Sequence, residues 1–343
     1  MELLDRIKAF ATLGDEIMGN TPNTANFWQT VNAAHQHNPW FTPENCQYAI
    51  KAIAQEWLSE KKLTQWVSGY PSAHFKPKNC KNVGVVMAGN VPFVGFHDLL
   101  CVLMSGHHFV GKISSKDGGL MEAVINLLIG IEPQFKQLIT ISEAKLEHFD
   151  AVIATGSDNS ARYFEYYFGK YPNIIRKNRH SIAILTGNET DDELKGLASD
   201  IFTHFGLGCR NVSKLLVPKD YDFNRLLNAL NGYSSIINHN KYANNYEYYR
   251  AIFLMNQVEH LDTGFLLVKP DEGLGSPVGT LYYQHYSNLE SVSSYINSNT
   301  ENLQCVVSVI PQITSRILPG NTQNPQLHDY ADGIDTVKFL ASL

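Results

Sequence analysis

In the stretch Phe205–Pro218, FGLGCRNVSKLLVP, a single cysteine, Cys209, sits between glycines on one side and Arg210, Asn211 and Lys214 on the other. Cations and backbone amides beside a thiol favour its thiolate, the form that attacks carbonyl carbon. A lone cysteine is also a good small core residue, and these neighbours leave both readings open. Three further polar clusters have chemical potential: AGN at 88–90, KISS at 112–115 and TGS at 155–157. Taken alone, Asn90 followed by Pro92 is ordinary turn chemistry, and Lys112 reads as a solvated lysine. Gly156-Ser157 reads as a helix N-cap, a role compatible with binding a phosphate on exposed amides.

The elements that must position these residues follow from hydrophobic patterning. VGVVM (83–87), HFVGK (108–112), DAVIATG (150–156) and SIAILTG (181–187) are short apolar runs that predict strands. The first three are each followed by a helical stretch, FVGFHDLLCVLMSG, LMEAVINLLIG and SDNSARYFEYYFG. Strands alternating with helices predict a parallel α/β sheet, whose ligands bind beyond the carboxyl ends of the strands. All three polar clusters fall at such ends. Thr190–Glu193 is a capping box that starts a helix carrying Leu194, Leu197, Ala198, Ile201, Phe202 and Phe205 on one stripe, with Gly206 or Gly208 as its stop. Cys209 is therefore expected on a bend between a packed helix and the strand 214–217. Further strands are predicted at 265–269, 278–283 and 305–310.

The chain has 343 residues, 44% apolar and 17% charged, enough for two domains. A net charge of −6 with no dense basic face argues against nucleic acid as a partner. The five cysteines are widely spaced, odd in number and without a CxxC pair, which argues against a disulfide framework and for a reducing cytoplasm. Cys46, Cys80, Cys101 and Cys305 read as core residues. The start, MELLDRIKAFATLGDEIM, is an amphipathic helix rather than a signal peptide, and no apolar run reaches the length of a membrane span. The thirteen histidines are scattered, and no metal is expected.

Four segments, in order, resemble the aldehyde dehydrogenase superfamily across about 82–218. GNVPFVGFHDLL is similar to its Asn-x-Pro segment, HFVGKISSKD to its cofactor segment, ATGSDNSARYF to its phosphate segment, and HFGLGCRNVSKLLVP to its catalytic-cysteine segment. The resemblance implies an α/β fold of that type: a Rossmann-type doubly wound cofactor domain plus a second α/β catalytic domain. The expected division is an N-terminal helical segment (1–78), an NAD(P)-binding domain (79–187), a catalytic cysteine domain (188–312) and a tail (313–343). It also implies that Cys209 is the nucleophile and Asn90 the oxyanion donor. Lys112, Ser114, Ser115, Thr155, Gly156 and Ser157 would bind the cofactor.

Two departures refine this. IIRKNRHSIAIL places Arg176 or Lys177 where the superfamily carries a water-activating glutamate, so an acyl-cysteine would persist rather than hydrolyse. Ser115 stands where an acid would repel a 2′-phosphate, so NADPH becomes acceptable, with NADH as the other candidate. The chain thus resembles the LuxC-like acyl-CoA reductases, which implies NADPH-dependent reduction of an acyl-CoA to its aldehyde by a homo-oligomer, a dimer being the simplest. Reduction of an acyl phosphate on the same fold is one alternative. A non-catalytic or acyl-carrier subunit of a fatty-acid reductase complex is the other. Arg176, Lys177, Arg179 and His180 together read as a solvated basic rim, with phosphate binding as a second reading.

Overall fold

The computed structural model describes residues 1–142 and 145–343, with backbone alone for Asp158. The chain forms two units, Met1–Asn178 with Asn324–Leu343, and Arg179–Gln323. The second unit is thus an insertion in the first.

The first unit opens with four helices, α1 (Leu3–Gly19), α2 (Ala25–Ala33), α3 (Pro43–Trp57) and α4 (Glu60–Ser68). α3 starts with Pro43 in its first turn and the Thr42 hydroxyl accepting from Asn45 N at 3.3 Å. Then β1 (Asn82–Val86), α5 (Phe96–Met104), β2 (His108–Lys112), α6 (Leu120–Ile131), β3 (Ile139–Ile141), β4 (Ala151–Thr155), α7 (Asp158–Phe168) and β5 (Asn173–Arg176) follow. The five strands are all parallel in the order β3-β2-β1-β4-β5. Strand order reverses between β1 and β4, which makes that gap the topological switch point of a doubly wound sheet. The central strands are buried on both faces, which is why they read as unbroken apolar runs.

The second unit holds β6 (His180–Ile184), α8 (Asp191–Phe202), β7 (Val212–Pro218), α9 (Phe223–Leu230), α10 (Asn240–Met255), β8 (Leu261–Asp262), β9 (Leu267–Pro270), β10 (Thr280–Tyr286), α11 (Leu289–Ser298) and β11 (Leu303–Ser308). Its sheet runs β11-β6-β7-β10-β9-β8, parallel except for the short β8. The chain then returns to the first unit and ends in α12 (Thr336–Ala341).

The run 181–187, expected to follow in the first sheet, pairs instead with β7 and β11 in the second. The place beside β4 is taken by β5, whose four residues NIIR lie in a basic stretch and give little strand signal of their own. α10 forms from a polar, Asn/Tyr-rich segment with no apolar stripe; Tyr242, Tyr246 and Phe253 bury it. Cys80 is exposed rather than packed, since it lies in the loop before β1, whereas Cys46, Cys101 and Cys305 are buried as expected.

The returning segment is fastened to the helices of its own unit. Trp57 Nε1 donates to Pro325 O at 2.7 Å, and Trp66 Nε1 donates to the Tyr330 hydroxyl at 2.9 Å. Tyr70 donates to Asp335 at 3.1 Å. The buried guanidinium of Arg6 donates to Leu103 O, Met104 O and Phe75 O at 3.2, 2.8 and 2.7 Å. It thereby satisfies Met104 O at the C-terminus of α5 and Phe75 O in the loop after α4, and adds to the bond that Leu103 O accepts from Gly106 N at 3.1 Å. Replacing Arg6 by Met keeps the packing but strands those carbonyls, so a loss of about 2–4 kcal/mol in urea unfolding is expected. A change below about 0.5 kcal/mol would mean that water serves those carbonyls equally well.

Candidate active site

Seven of the eight candidate residues belong to the first unit, at the carboxyl edge of its sheet. Asn90 is exposed on the bend after β1, Lys112 closes β2, and Thr155 closes β4. The loops after β1 and β2 are pressed together: a Cβ on Gly89 would lie 2.5 Å from Ser114 Oγ, so only glycine fits there. Ser114 shapes its own turn, its hydroxyl accepting from Lys116 N at 3.2 Å and its carbonyl from Asp117 N at 3.0 Å. Asn38 Nδ2 donates to Lys116 O at 3.0 Å, and the buried Asp117 carboxylate accepts from Met121 N at 2.9 Å. The Ser115 side of the loop is left exposed. Burial pushes the Asp117 carboxyl up to about 6.

After β4, Thr155 and Gly156 lead into α7, where Ser157 is the N-cap and accepts from Ser160 N at 3.4 Å. Ser157 is exposed and Gly156 half-buried. The turn Thr155–Ser157 thus leads into the N-terminus of α7 at the switch point, where helix amides and hydroxyls are donors of the kind a phosphate uses.

The basic run after β5 does not form a single rim. Arg176 is 4% exposed and pairs with Asp98 on α5 through both arms, Nη1–Oδ2 at 2.6 Å and Nη2–Oδ1 at 2.9 Å. Burial alone would lower its pKa, but the Asp98 charge overrides this and raises it. Lys177, next in sequence, forms an exposed pair with Glu165 at 2.9 Å. Arg179 caps carbonyls in the second unit, donating to Leu303 O at 3.0 Å, and His180 begins β6. The strand end explains the split: neighbouring residues at the close of β5 point to opposite faces, one to the core and one to water.

Cys209 belongs to the second unit, on the turn between α8 and β7, and is exposed. α8 begins with the expected capping box but ends at Phe202, earlier than the apolar stripe suggested. His204, Phe205 and Gly206 then take left-handed φ values of 54°, 59° and 74°. Each non-glycine there costs about 1–2 kcal/mol. Burial of Phe205, whose ring centroid lies 4.3 Å from that of His239, helps offset the strain. Phe205 thus reaches the core by a left-handed turn rather than by continued helix.

Asn211, 2% exposed, knits the two sides of the turn together. Its Nδ2 donates to Asp200 O at 3.1 Å and Thr203 O at 2.8 Å, and its Oδ1 accepts from Gly208 N at 2.9 Å. On the other flank, Arg210 Nε donates to Thr322 O. Thr322 is itself held by the buried Asp200 carboxylate, which accepts from Thr322 N at 3.0 Å and Gly320 N at 2.7 Å. Ser181 Oγ donates to Cys209 O at 2.8 Å. The thiol is thus carried on a turn whose surrounding backbone groups are tied down.

Lys214 does not stay beside the turn. It is fully buried on β7 and donates to Glu272 O and Gln284 Oε1, both at 2.8 Å, with its ammonium 5.2 Å from the Tyr295 ring centre. Burial lowers its pKa. Asp98, Asp200, Ser181 and Thr322 carry no motif, and only the folded chain brings them to their partners.

No family model matches the chain. It is 23% identical to the long-chain acyl-protein thioester reductase of Aliivibrio fischeri over 251 residues, covering 64% of this chain and 52% of that protein. The chain therefore spans about half the length of this curated relative. Among solved structures, it matches aldehyde dehydrogenase 21 of Physcomitrella patens, in complex with the reaction product succinate, with a TM-score of 0.71 at 12% identity, covering 100% of this chain and 84% of that one. It matches an NADP-dependent enzyme of Escherichia coli with a TM-score of 0.64 at 11% identity, covering 90% and 73%. The fold is that of the aldehyde dehydrogenases.

The turn before Cys209 carries its own pH dependence. Burial lowers His204 from 6.5 to about 4, so the folded chain keeps its imidazole neutral where the unfolded chain binds a proton. Stability from this group is complete above about pH 6.5 and is lost as pH falls toward about 4. His204→Asn, which tolerates the left-handed backbone, removes this titration. Between about pH 7 and pH 4.5, wild type should lose on the order of 2–3 kcal/mol more than the variant in urea unfolding. Parallel losses in the two proteins would show that His204 does not titrate as described.

Proposed function

We propose that the protein reduces an acyl thioester to the aldehyde through an acyl-cysteine on Cys209, with acyl-CoA as donor and NADPH as reductant, and with NADH as the other nicotinamide candidate. The observation that carries this reading is the state of Cys209. It is exposed on a strained, hydrogen-bonded turn, while Cys46, Cys101 and Cys305 are core residues and the exposed Cys80 lies in the loop before β1. A packing role would bury the sulfur. The fold and the similarity to an acyl-protein thioester reductase support the same reading.

In this mechanism the Cys209 thiolate adds to the thioester carbonyl carbon, and the tetrahedral oxyanion is held by the Asn90 amide and the Cys209 backbone N–H. Collapse expels the CoA thiolate, which takes up a proton, and leaves the acyl group on Cys209. Lys112, Ser114, Ser115, Thr155, Gly156 and Ser157 would hold the reduced nicotinamide, which would supply the hydride that takes the acyl carbon to the aldehyde level. Loss of the aldehyde regenerates the Cys209 thiolate. Overall, acyl-CoA, NADPH and a proton give aldehyde, CoA and NADP+.

The resemblance places Arg176 or Lys177 where the superfamily's water-activating glutamate would stand, and neither is a carboxylate; Arg176 is committed to Asp98 and Lys177 pairs with Glu165. Hydrolysis of the acyl-enzyme then lacks its base, and the acyl group waits for reduction. A second reading keeps the chemistry and changes the carrier, with the acyl group delivered as a thioester on a protein; the name of the Aliivibrio fischeri relative favours it.

The test follows nicotinamide absorbance and free-thiol release with a series of acyl-CoAs, for wild type and Cys209→Ala. Wild type should consume reduced cofactor only with a thioester present and release one CoA thiol per turnover. Cys209→Ala should be slower by at least about 10³-fold. Turnover that survives Cys209→Ala would overturn the covalent mechanism. Rapid CoA release without cofactor oxidation would show that hydrolysis wins.

A further inference from the structure

The basic run 176–180 was read as a rim, and its one buried member is left without a role in the chemistry above. Arg176 sits at the carboxyl end of β5, in register with Thr155 at the end of β4. Its guanidinium is gripped by Asp98 at 2.6 and 2.9 Å, and Nη1 reaches Thr155 Oγ1 at 3.5 Å. Nη2 donates to Thr336 Oγ1 on α12 at 3.2 Å. Its own backbone carbonyl accepts from Gly156 N at 3.4 Å. One residue therefore meets three other elements of the unit, and two of its contacts fall on consecutive residues of the turn that leads into α7.

The rest of that turn is lightly held. Among the described residues the Ser157 side chain bonds to Ser160, in the first turn of its own helix, and Gly156 has no side chain to pack. A Cβ on Gly156 would lie 2.8 Å from Ser160 Cβ, so the turn lies close over α7 but gains no further polar anchor from it. By contrast, the Lys177–Glu165 pair is exposed on both sides, and such pairs hold little. Arg176 meets this turn through its side chain at Thr155 and through its backbone carbonyl at Gly156, and its guanidinium is oriented by Asp98.

We propose that Arg176 is a positioning residue for the phosphate turn Thr155–Ser157, oriented by Asp98 and locked by Thr336. This rests on the reading of the first unit as a dinucleotide-binding domain. Neither guanidinium nor carboxylate reaches solvent enough to touch a ligand, since Arg176 and Asp98 are 4% and 5% exposed. Their effect must pass through the turn. Arg176 thereby serves to hold the cofactor's phosphate subsite.

The experiment titrates NADPH and NADH by nicotinamide fluorescence into wild type, Arg176→Lys and Asp98→Asn, with adenosine as a control ligand that lacks the pyrophosphate. Arg176→Lys keeps the charge but loses the fork geometry, and Asp98→Asn keeps one acceptor oxygen, so at least one variant should fold. Loss of one to two oriented hydrogen bonds should raise the dinucleotide Kd roughly tenfold in Arg176→Lys and about threefold in Asp98→Asn. Adenosine affinity should stay within about twofold, and Cys209 should keep its iodoacetamide alkylation rate. In turnover, KM for the cofactor should rise with kcat little changed. Equal weakening of adenosine and dinucleotide, or dinucleotide affinity within twofold of wild type in both variants, would overturn the positioning role. Wild type that binds neither dinucleotide would overturn the reading of the domain, and the inference with it.

Discussion

The first unit depends on a charge taken out of water. Asp98 and Arg176 are both buried, and an ion pair in that setting holds together only when its geometry is good and its remaining donors are used. Here the fork is bidentate and its two Nη groups also meet Thr155 and Thr336, while Nε is buried without a partner among the described residues. Removing either partner would strand the other at a cost of about 3–5 kcal/mol. The pair therefore fixes where α5, the end of β4 and the last helix meet. Because the switch point of the sheet lies between β1 and β4, the same pair governs the edge where a nucleotide would bind.

The second unit solves a similar problem with a single carboxylate and an amide. Asp200 is buried on α8 and accepts from the backbone of Gly320 and Thr322, and Asn211 satisfies carbonyls that the end of α8 leaves open. Gly196 allows the close approach: a Cβ there would be 2.9 Å from Pro319 C and O. Burial raises the Asp200 pKa, while the amide donors of Gly320 and Thr322 act against that rise. Between these two anchors the chain makes a left-handed turn that helix-forming residues would avoid. Such strain, held by its surroundings, is common where a reactive group must project from a rigid frame.

How much of this was legible in the sequence depends on the range of the interaction. The capping box at Thr190, the buried runs of β1, β2 and β4, and the polar clusters at their ends are local signals, and the structure has them where they were expected. The fate of 181–187 was not local, because a buried parallel strand does not name its neighbour. Nor was α10, whose tyrosines become a buried face only once β9 and β10 exist. The basic run misled for the same reason. Charge along a sequence predicts solvent, but the alternation of a strand end sends Arg176 inward and Lys177 outward, and nothing local marks Asp98, 78 residues away, as the partner.

The same inward turn of Arg176 bears on the chemistry proposed for Cys209. An acyl-cysteine is consumed by whichever acceptor is activated first, and water needs a base to compete. A guanidinium cannot serve as one, since it stays protonated throughout the working range, and this one has its donors directed at Asp98. In the proposed reaction a guanidinium at 176 would leave water without a base, and its side chain reaches the turn at Thr155. Replacing Arg176 by glutamate would therefore not simply restore hydrolysis: it would set a second carboxylate against Asp98 in a buried site, and the turn would lose its support before water gained a base.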